Sequence, residues 1–362
     1  MSENIIHVPI QPLVELCARI FMTEGVREAD ARVVAASLVE TDLRGTASHG
    51  VSRLENYMKR LQQGGITPDA ECHILRETPT SVYVHAENSF GQVAAHYTAE
   101  LVRKKAAESG VCVGVVRGSN HFGTSTNWAF EMCGNDMISL CFSNAGKNMV
   151  GPGTKVPAIG TNPFCISVPS EKYGYVCLDI SCSTVAFGKV LSYRHENKPL
   201  PEGWFVDKEG RPTTDPFAAL YTMPFGAHKG YGIAFMVEML TSMLSGGLYG
   251  AAIPRQVTDL GKPNDVSHFL LAFRIDMFMD PAEYRARVDD YIAFIKSLPL
   301  RDDVPEIYFP GEIEMRKAEA NRALGAPIQA GVAEEIIGYA RAGGLAEEEY
   351  AFLSELLTDG NV

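Results

Sequence analysis

Nowhere in the 362 residues does an apolar run approach the ~18 residues that a membrane-spanning helix needs. The first twenty residues lack a basic stretch followed by an apolar one, so no secretory signal is expected and the cytoplasm is the expected location. Basic residues are scarce: 32 Lys and Arg against 44 Asp and Glu leave a net charge of −12, which argues against nucleic acid as a partner. The eight cysteines lie scattered in apolar runs, and no CxxC pair occurs. That pattern excludes a disulfide framework and a Cys-type zinc site, and it suits buried thiols in a reducing compartment. HExxH, GxSxG and EF-hand signatures are absent, and His49, His121 and His228 have no His or Cys four residues on, so no metal site is expected. The nearest approach to a dinucleotide fingerprint, GPGTKVPAIG (151–160), lacks the third glycine and runs into Pro157. A standard Rossmann domain is therefore not expected.

The chain exceeds the ~250–300 residues at which single cores stop growing, so two lobes are expected. Leu13, Leu16, Cys17, Ile20 and Phe21 recur at helical spacing, as do Ala31, Val34, Ala35 and Leu38, and then Leu54, Tyr57, Met58 and Leu61. From about residue 80 β-rich runs appear, at 81–86, 111–116, 138–143, 165–169, 175–181 and 268–278. Helical stretches lie between some of them, at about 91–108, 124–134 and 230–246. Residues 192–228, rich in Pro, Gly and Asp, read as loops. Helical periodicity returns over 281–298 and most of 314–358. These patterns predict an α/β fold: a helical domain from both chain ends (1–75 plus 281–362) and an α/β domain at 76–280.

Four stretches carry candidate chemistry. In GTASHGVSR (45–53), Ser48 reads as the N-cap of the helix bearing Leu54 and Tyr57. His49 and Arg53, four apart, then share one face at that helix's positive end. Arg53 offers a fork for a carboxylate and His49 a proton near neutral pH; the plain alternative is a cap with solvated neighbours. In GSNHFGTS (118–125), His121 stands at a strand-to-helix turn, where α/β sheets bind ligands, or is a turn histidine bonded to backbone. In LDISCSTVAFGK (178–189), Asp179 closes a strand and either caps a turn or orients a histidine or ribose hydroxyl. In PFGAHKGYG (224–232), Lys229 is a cation among glycines, without the Walker A spacing.

Seven stretches, in order and spanning nearly the whole chain, resemble the malate/L-lactate/L-sulfolactate dehydrogenase family, which is unrelated to the standard lactate dehydrogenases. They are 42–61, 117–129, 160–169, 178–190, 203–216, 224–247 and 309–314. The resemblance implies a non-Rossmann cofactor-binding α/β domain beside a helical domain. It implies hydride transfer between a nicotinamide cofactor and a small 2-hydroxy or 2-oxo acid, in a homodimer or dimer of dimers. By the same resemblance Ser48, His49 and Asp179 form a catalytic constellation, with His121 the rival for the acid–base role and His49 favoured. Arg53 would clamp the substrate carboxylate, and His121 would also face the substrate. Cofactor contacts carry over to Ser143, to Asp179, Ile180, Ser181, Cys182, Ser183, Thr184 and Val185, to His228 and Lys229, and to Gly311, Glu312 and Ile313.

Likeness to the ureidoglycolate-type members over 188–217 favours NAD; Arg194 and Lys198 are the cations that could meet the extra phosphate of NADP. The stretch SNAGKNMVGPG (143–153) matches no single member and is expected to line the substrate pocket. A reductase of C=N bonds in cyclic imino or N-alkyl amino acids is the alternative within the same fold. A non-catalytic carboxylate- or nucleotide-binding protein is the alternative outside enzymology.

Overall fold

In a computed structural model, residues 4–359 are described. They run from strand β1 (Ile5–Val8) through helices α1 (Ile10–Thr23), α2 (Glu28–Leu43) and α3 (Leu54–Gln62) to strands β2 (His73–Thr78) and β3 (Ser81–His85). Helix α4 (Gly91–Ser109), strand β4 (Val111–Ser119) and helix α5 (Ser125–Cys133) follow. Next come β5 (Met137–Ser143), β6 (Met149–Val150), β7 (Pro157–Ile159), β8 (Phe164–Ser170), β9 (Gly174–Ile180) and α6 (Gly188–His195). Then come β10 (Phe205–Val206), β11 (Pro212–Thr213), β12 (Tyr221–Thr222), α7 (His228–Glu238), β13 (Val266–Arg274) and α8 (Pro281–Lys296). Helix α9 (Glu312–Leu324), strand β14 (Ala326–Gln329) and helices α10 (Ala330–Ala342) and α11 (Glu347–Asp359) end the order.

The main sheet has seven strands in the order β2-β3-β4-β13-β5-β8-β9. Only β3 and β4 pair in parallel, across the crossover helix α4; the other pairs are antiparallel. A Rossmann sheet is mostly parallel, so the fold is a mixed α/β arrangement of another kind, in line with the missing fingerprint. The small residues Ala94, Ala95, Ala99 and Ala106 let α4 lie close on the sheet. The approach leaves no room at Gly114, where an added Cβ would sit 2.7 Å from the methyl carbons of Thr98 and Val102. Strands β4, β13 and β5 are apolar on both faces because α4 and α5 cover one side and Val237 of α7 packs on the other.

The two chain ends share one core. β1 pairs antiparallel with β14, and α1, α2, α3, α10 and α11 bury their apolar stripes together around Leu16, Phe21, Leu38, Leu54, Ile336 and Leu353. Helix α8, which the sequence pattern groups with these ends, packs on β8 instead. Ser170 donates to its Asp289, and its Arg285 pairs with Glu171. The stretch 192–228 is not only loop: β10, β11 and β12 lie in it and join β6 and β7 in a second, five-stranded sheet. Two-residue strands are too short to show a period of two, so the sequence pattern could not reveal them. The cysteines are free thiols, all buried except the half-buried Cys72.

One consequence of the topology governs the site. β3, β4, β5 and β9 point the same way, so their C-terminal ends reach one edge of the sheet. His121 follows β4, Ser143 ends β5, and Asp179 and Ile180 end β9.

Candidate active site

The GTASHGVSR segment does not start a regular α-helix. It forms two consecutive single 3-10 turns, Ala47–His49 and Val51–Arg53, before α3 begins at Leu54. Ser48 is therefore not the α3 N-cap; that place falls to Arg53, whose side chain makes no cap bond. The break has a local cause. Asp42, in the last turn of α2, is buried, and its Oδ2 accepts the Val51 N–H at 2.7 Å. A Cβ on Gly50 would lie 1.9 Å from Asp42 Oδ1, so only glycine passes this point. Burial pushes the Asp42 carboxyl up to about 8. Ser48 Oγ turns to His49 Nδ1 at 3.0 Å, and Arg53 Nε donates to the Ser48 carbonyl at 2.6 Å.

The fold brings His49 and His121 together: their ring centroids are 5.3 Å apart, although 72 positions separate them in the chain. Burial, and then the Arg53 charge, push the His49 imidazole down to about 4. His121 is pushed well below the usual histidine range by burial, His49 and Arg53. Both rings are thus neutral at pH 7. Tyr57 Oη lies 2.7 Å from His121 Nδ1 and accepts Gln92 Nε2 at 2.9 Å. The phenol is buried and pushed up to about 12, so it keeps its proton and donates it to Nδ1. His121 is then the tautomer with its proton on Nε2.

Ser48 and Arg53 line a cavity of about 320 Å³ with Ser52, Asn56, Val257, Leu260 and the Glu55–Lys59 ion pair. Asn56 Nδ2 holds the Gln256 carbonyl, and the buried Arg60 holds the carbonyls of Gly65 and Lys262 and the Asn120 Oδ1. These bonds fix the 256–262 loop as one wall of that cavity. A larger cavity, about 540 Å³ and lined by Gly153, Thr154, Lys155, Glu209, Gly210 and Arg211, contains none of the candidate catalytic residues.

Two of the segments carried over for the cofactor meet just past the end of β9, and a third lies beside the middle of that strand. Residues 182–184 run beside 223–225: Cys182 carbonyl accepts from Phe225 N–H, Thr184 N–H donates to Met223, and Ser183 bridges Pro224. The first turn of α7 meets this segment at Gly230, where an added Cβ would lie 2.7 Å from the Cys182 carbonyl oxygen, and His228 and Lys229 of that turn are exposed. Pro310 accepts the Cys177 N–H, which lays Gly311 beside the middle of β9. Among the described residues Lys229 has no ion-pair partner, which suits an anionic ligand.

Three side chains are engaged elsewhere. Asp179 Oδ2 accepts the N–H and hydroxyl of Thr126, at 2.8 and 2.7 Å. It caps the first turn of α5 and makes no hydrogen bond to His49 or His121. Burial raises its pKa, which the Thr126 bonds oppose. Glu312 is buried, and its carboxylate is taken up by Lys296, Arg316 and the Phe309 N–H. Ser143 is buried and bonds to His268 Nδ1 at 2.9 Å, so it presents little surface to a ligand. It opens the stretch 143–153, of which neither cavity's lining includes more than Gly153.

Sequence reasoning missed Tyr57, Gln92, Asp42, Arg60 and His268. Tyr57 is indistinguishable from an ordinary stripe residue, although Arg60, one turn on and on the same apolar face, was a usable signal. His268 sits in a buried strand between Ser119 and Ser143, its ring stacked on Phe122 at 4.5 Å, and is pushed down to about 3 by burial. The assembled groups comprise a guanidinium fork, two neutral imidazoles and a phenol donor. They can bind a carboxylate and exchange a proton with an oxygen beside it.

The profile of a family described as malate/L-lactate dehydrogenase matches residues 8–337. The L-sulfolactate dehydrogenase of Methanothermobacter thermautotrophicus is 34% identical over 333 residues, covering 91% of this chain and 94% of that protein. The malate dehydrogenase of Pyrococcus horikoshii is 32% identical over 346 residues, with 93% and 95% covered. The solved sulfolactate dehydrogenase of Methanocaldococcus jannaschii superposes with a TM-score of 0.89 at 31% identity, over 96% of this chain and 100% of that one.

Proposed function

Because the chain belongs to the malate/L-lactate dehydrogenase family, we propose that Arg53 binds the carboxylate of a small 2-hydroxy or 2-oxo acid while His49 and His121 serve its reacting oxygen. The protein is an oxidoreductase of that substrate class and uses a nicotinamide cofactor. When bound, the nicotinamide supplies or accepts the hydride. The observation that carries the division of roles is the 5.3 Å His49–His121 pair with a different partner on each ring.

His121, held by Tyr57 with its proton on Nε2, is the neutral donor to the substrate oxygen. Developing negative charge on that oxygen strengthens the bond during reduction. His49, next to Ser48, exchanges the proton. Its low pKa comes partly from Arg53. A bound carboxylate offsets that charge and lifts the imidazole toward the range in which it can carry a proton. In the oxidative direction the neutral ring accepts the hydroxyl proton directly. Asp179 supports the α5 turn that follows His121, so its part is positional.

The residues at the end of β9 fit a dinucleotide. The unpaired Lys229 and the start of α7 offer positive charge, and Ser181 and Ser183 offer hydroxyls. We assign NAD rather than NADP. Arg194 is engaged by the carbonyls of Pro216 and Ala219, and Lys198 pairs with Glu196 at 2.6 Å, so neither cation is free for a 2′-phosphate. The exposed apolar residues Phe235, Met236, Met243 and Leu244 on α7 and the turn after it support a homodimer. No helix among the described residues is long and apolar enough to cross a membrane, and a cytoplasmic location is proposed with it.

The test is cofactor consumption. Protein is mixed with NADH or NADPH and oxaloacetate, pyruvate, sulfopyruvate or a cyclic imino acid, with ureidoglycolate plus NAD as the reverse arm. Consumption of NADH with a 2-oxo acid, abolished by His49→Ala with cofactor binding retained, is the expected result. Turnover confined to cyclic imines would replace the 2-oxo acid reading with the C=N one. Undiminished turnover in His49→Ala would remove His49 from the proton transfer.

A further inference from the structure

We propose that His73, His85 and Glu87 form a binding site for a late first-row divalent metal ion of the zinc class, on the β2–β3 hairpin. His73 and His85 are directly opposed in the antiparallel pair β2–β3, so their side chains leave the same face of the sheet. Their rings stack at 5.6 Å. Glu87 Oε1 lies 3.5 Å from His73 Nδ1 and 3.0 Å from His85 Nδ1. Ligands about 2.0–2.1 Å from a tetrahedral zinc ion are themselves about 3.3 Å apart; the two carboxylate–imidazole spacings match that, and one ligand atom from each of the three residues lies within 4.8 Å of the others. The side chains are 25–50% exposed, which leaves the fourth position to water.

A hydrogen bond bears on the same ligand atom. His85 Nδ1 accepts the Glu87 backbone N–H at 3.1 Å, so this nitrogen carries a lone pair rather than a proton. The Glu87 carboxylate therefore faces an acceptor at hydrogen-bond distance. A cation shared by both removes that opposition, and the ion displaces the amide from Nδ1. Backbone conformation presents the carboxylate this way: Glu87 and Asn88 both have positive φ, 48° and 62°.

The site abuts the catalytic region without sharing its residues. Asn88, next to Glu87, accepts from Asn120 Nδ2 through its carbonyl and side-chain oxygens, at 3.2 and 3.0 Å, and Asn120 precedes His121. A bound ion would thus brace the turn on which the His121 loop rests. A second His–carboxylate group among the described residues, His96, Glu100 and Glu131, has one imidazole already paired with Glu131 at 2.8 Å, and serves as the comparison.

The experiment is calorimetric titration of the full chain with zinc ion, repeated with cobalt(II) to read tetrahedral coordination in the visible spectrum. One equivalent is expected to bind. His73→Ala and His85→Ala should each weaken it about tenfold or more, and His96→Ala should leave it unchanged. The thermal midpoint should rise with zinc in the parent and not in the His73→Ala/His85→Ala double variant, whose own midpoint without metal checks that it is folded. Undiminished binding by the folded double variant would place the ion elsewhere and overturn the proposal. So would the absence of binding by the parent.

Discussion

Tyr57→Phe isolates the role of a single hydroxyl. The ring stays in its pocket beside Phe90, 5.6 Å between centroids, so packing is conserved. Two interactions disappear. The 2.7 Å contact to His121 Nδ1 is lost, and the buried Gln92 amide loses its acceptor at 2.9 Å. Removing a buried hydrogen bond while stranding a donor costs about 1–3 kcal/mol in stability. The catalytic consequence has a different origin. Without the phenol donor His121 is no longer held with its proton on Nε2, and the donor to the substrate oxygen is present only part of the time. If about 1.4–2.7 kcal/mol of transition-state stabilisation depends on that bond, kcat falls roughly 10–100-fold. KM for the acid should change little, because Arg53 is untouched. Steady-state kinetics with saturating NADH and a varied 2-oxo acid, beside a thermal melt, separates the effects. A kcat within twofold of the parent would refute the tautomer argument. A raised KM with unchanged kcat would instead mark Tyr57 as part of the binding surface.

Three further outcomes follow from the same geometry. Arg53→Lys keeps the charge but loses the fork, so KM for the acid should rise about tenfold or more with cofactor affinity unchanged; equal KM values would remove the clamp assignment. Asp42→Asn should flatten the pH dependence of stability between about pH 4 and 8, as followed by urea denaturation. The Asp42 pKa is raised from 3.8 to about 8 on folding, so the parent's contribution is fully present below pH 4 and is lost as pH rises through 8. An unflattened curve would mean that Asp42 is ionised in the folded chain at neutral pH. Asp42→Ala should in addition reduce kcat or raise KM, because the Val51 N–H anchor that sets the turn between His49 and Arg53 is gone.

Much of the architecture was legible because it rests on period and composition. The stripes of α1, α2 and α3 appear in the sequence because one face of each helix must avoid water. Strands β3, β4, β5, β8, β9 and β13 appear because a covered sheet needs continuous β-branched and apolar runs. The second sheet was not legible, since its strands of two and three residues fall below any repeat. The placing of α8 was hidden for another reason. A periodic stripe records that a face is buried, and says nothing about which surface buries it.

The sequence by itself determined the inventory of chemistry and its local context: a histidine beside Ser48, another at the end of a strand, an arginine four residues after His49, and the absence of a dinucleotide fingerprint. Ordered motifs also sufficed to indicate the family. Only the tertiary structure decided which groups meet. Strand order and the packing of α3 against the β4–α5 turn put His49 beside His121 and Tyr57 beneath it. The same packing engaged Asp179 with Thr126 and Glu312 with Lys296 and Arg316. The physical reason is that a hydrogen bond or a shifted pKa depends on distances of a few ångströms and on exclusion of water. Those are set by chain segments far apart in sequence, which no local pattern encodes.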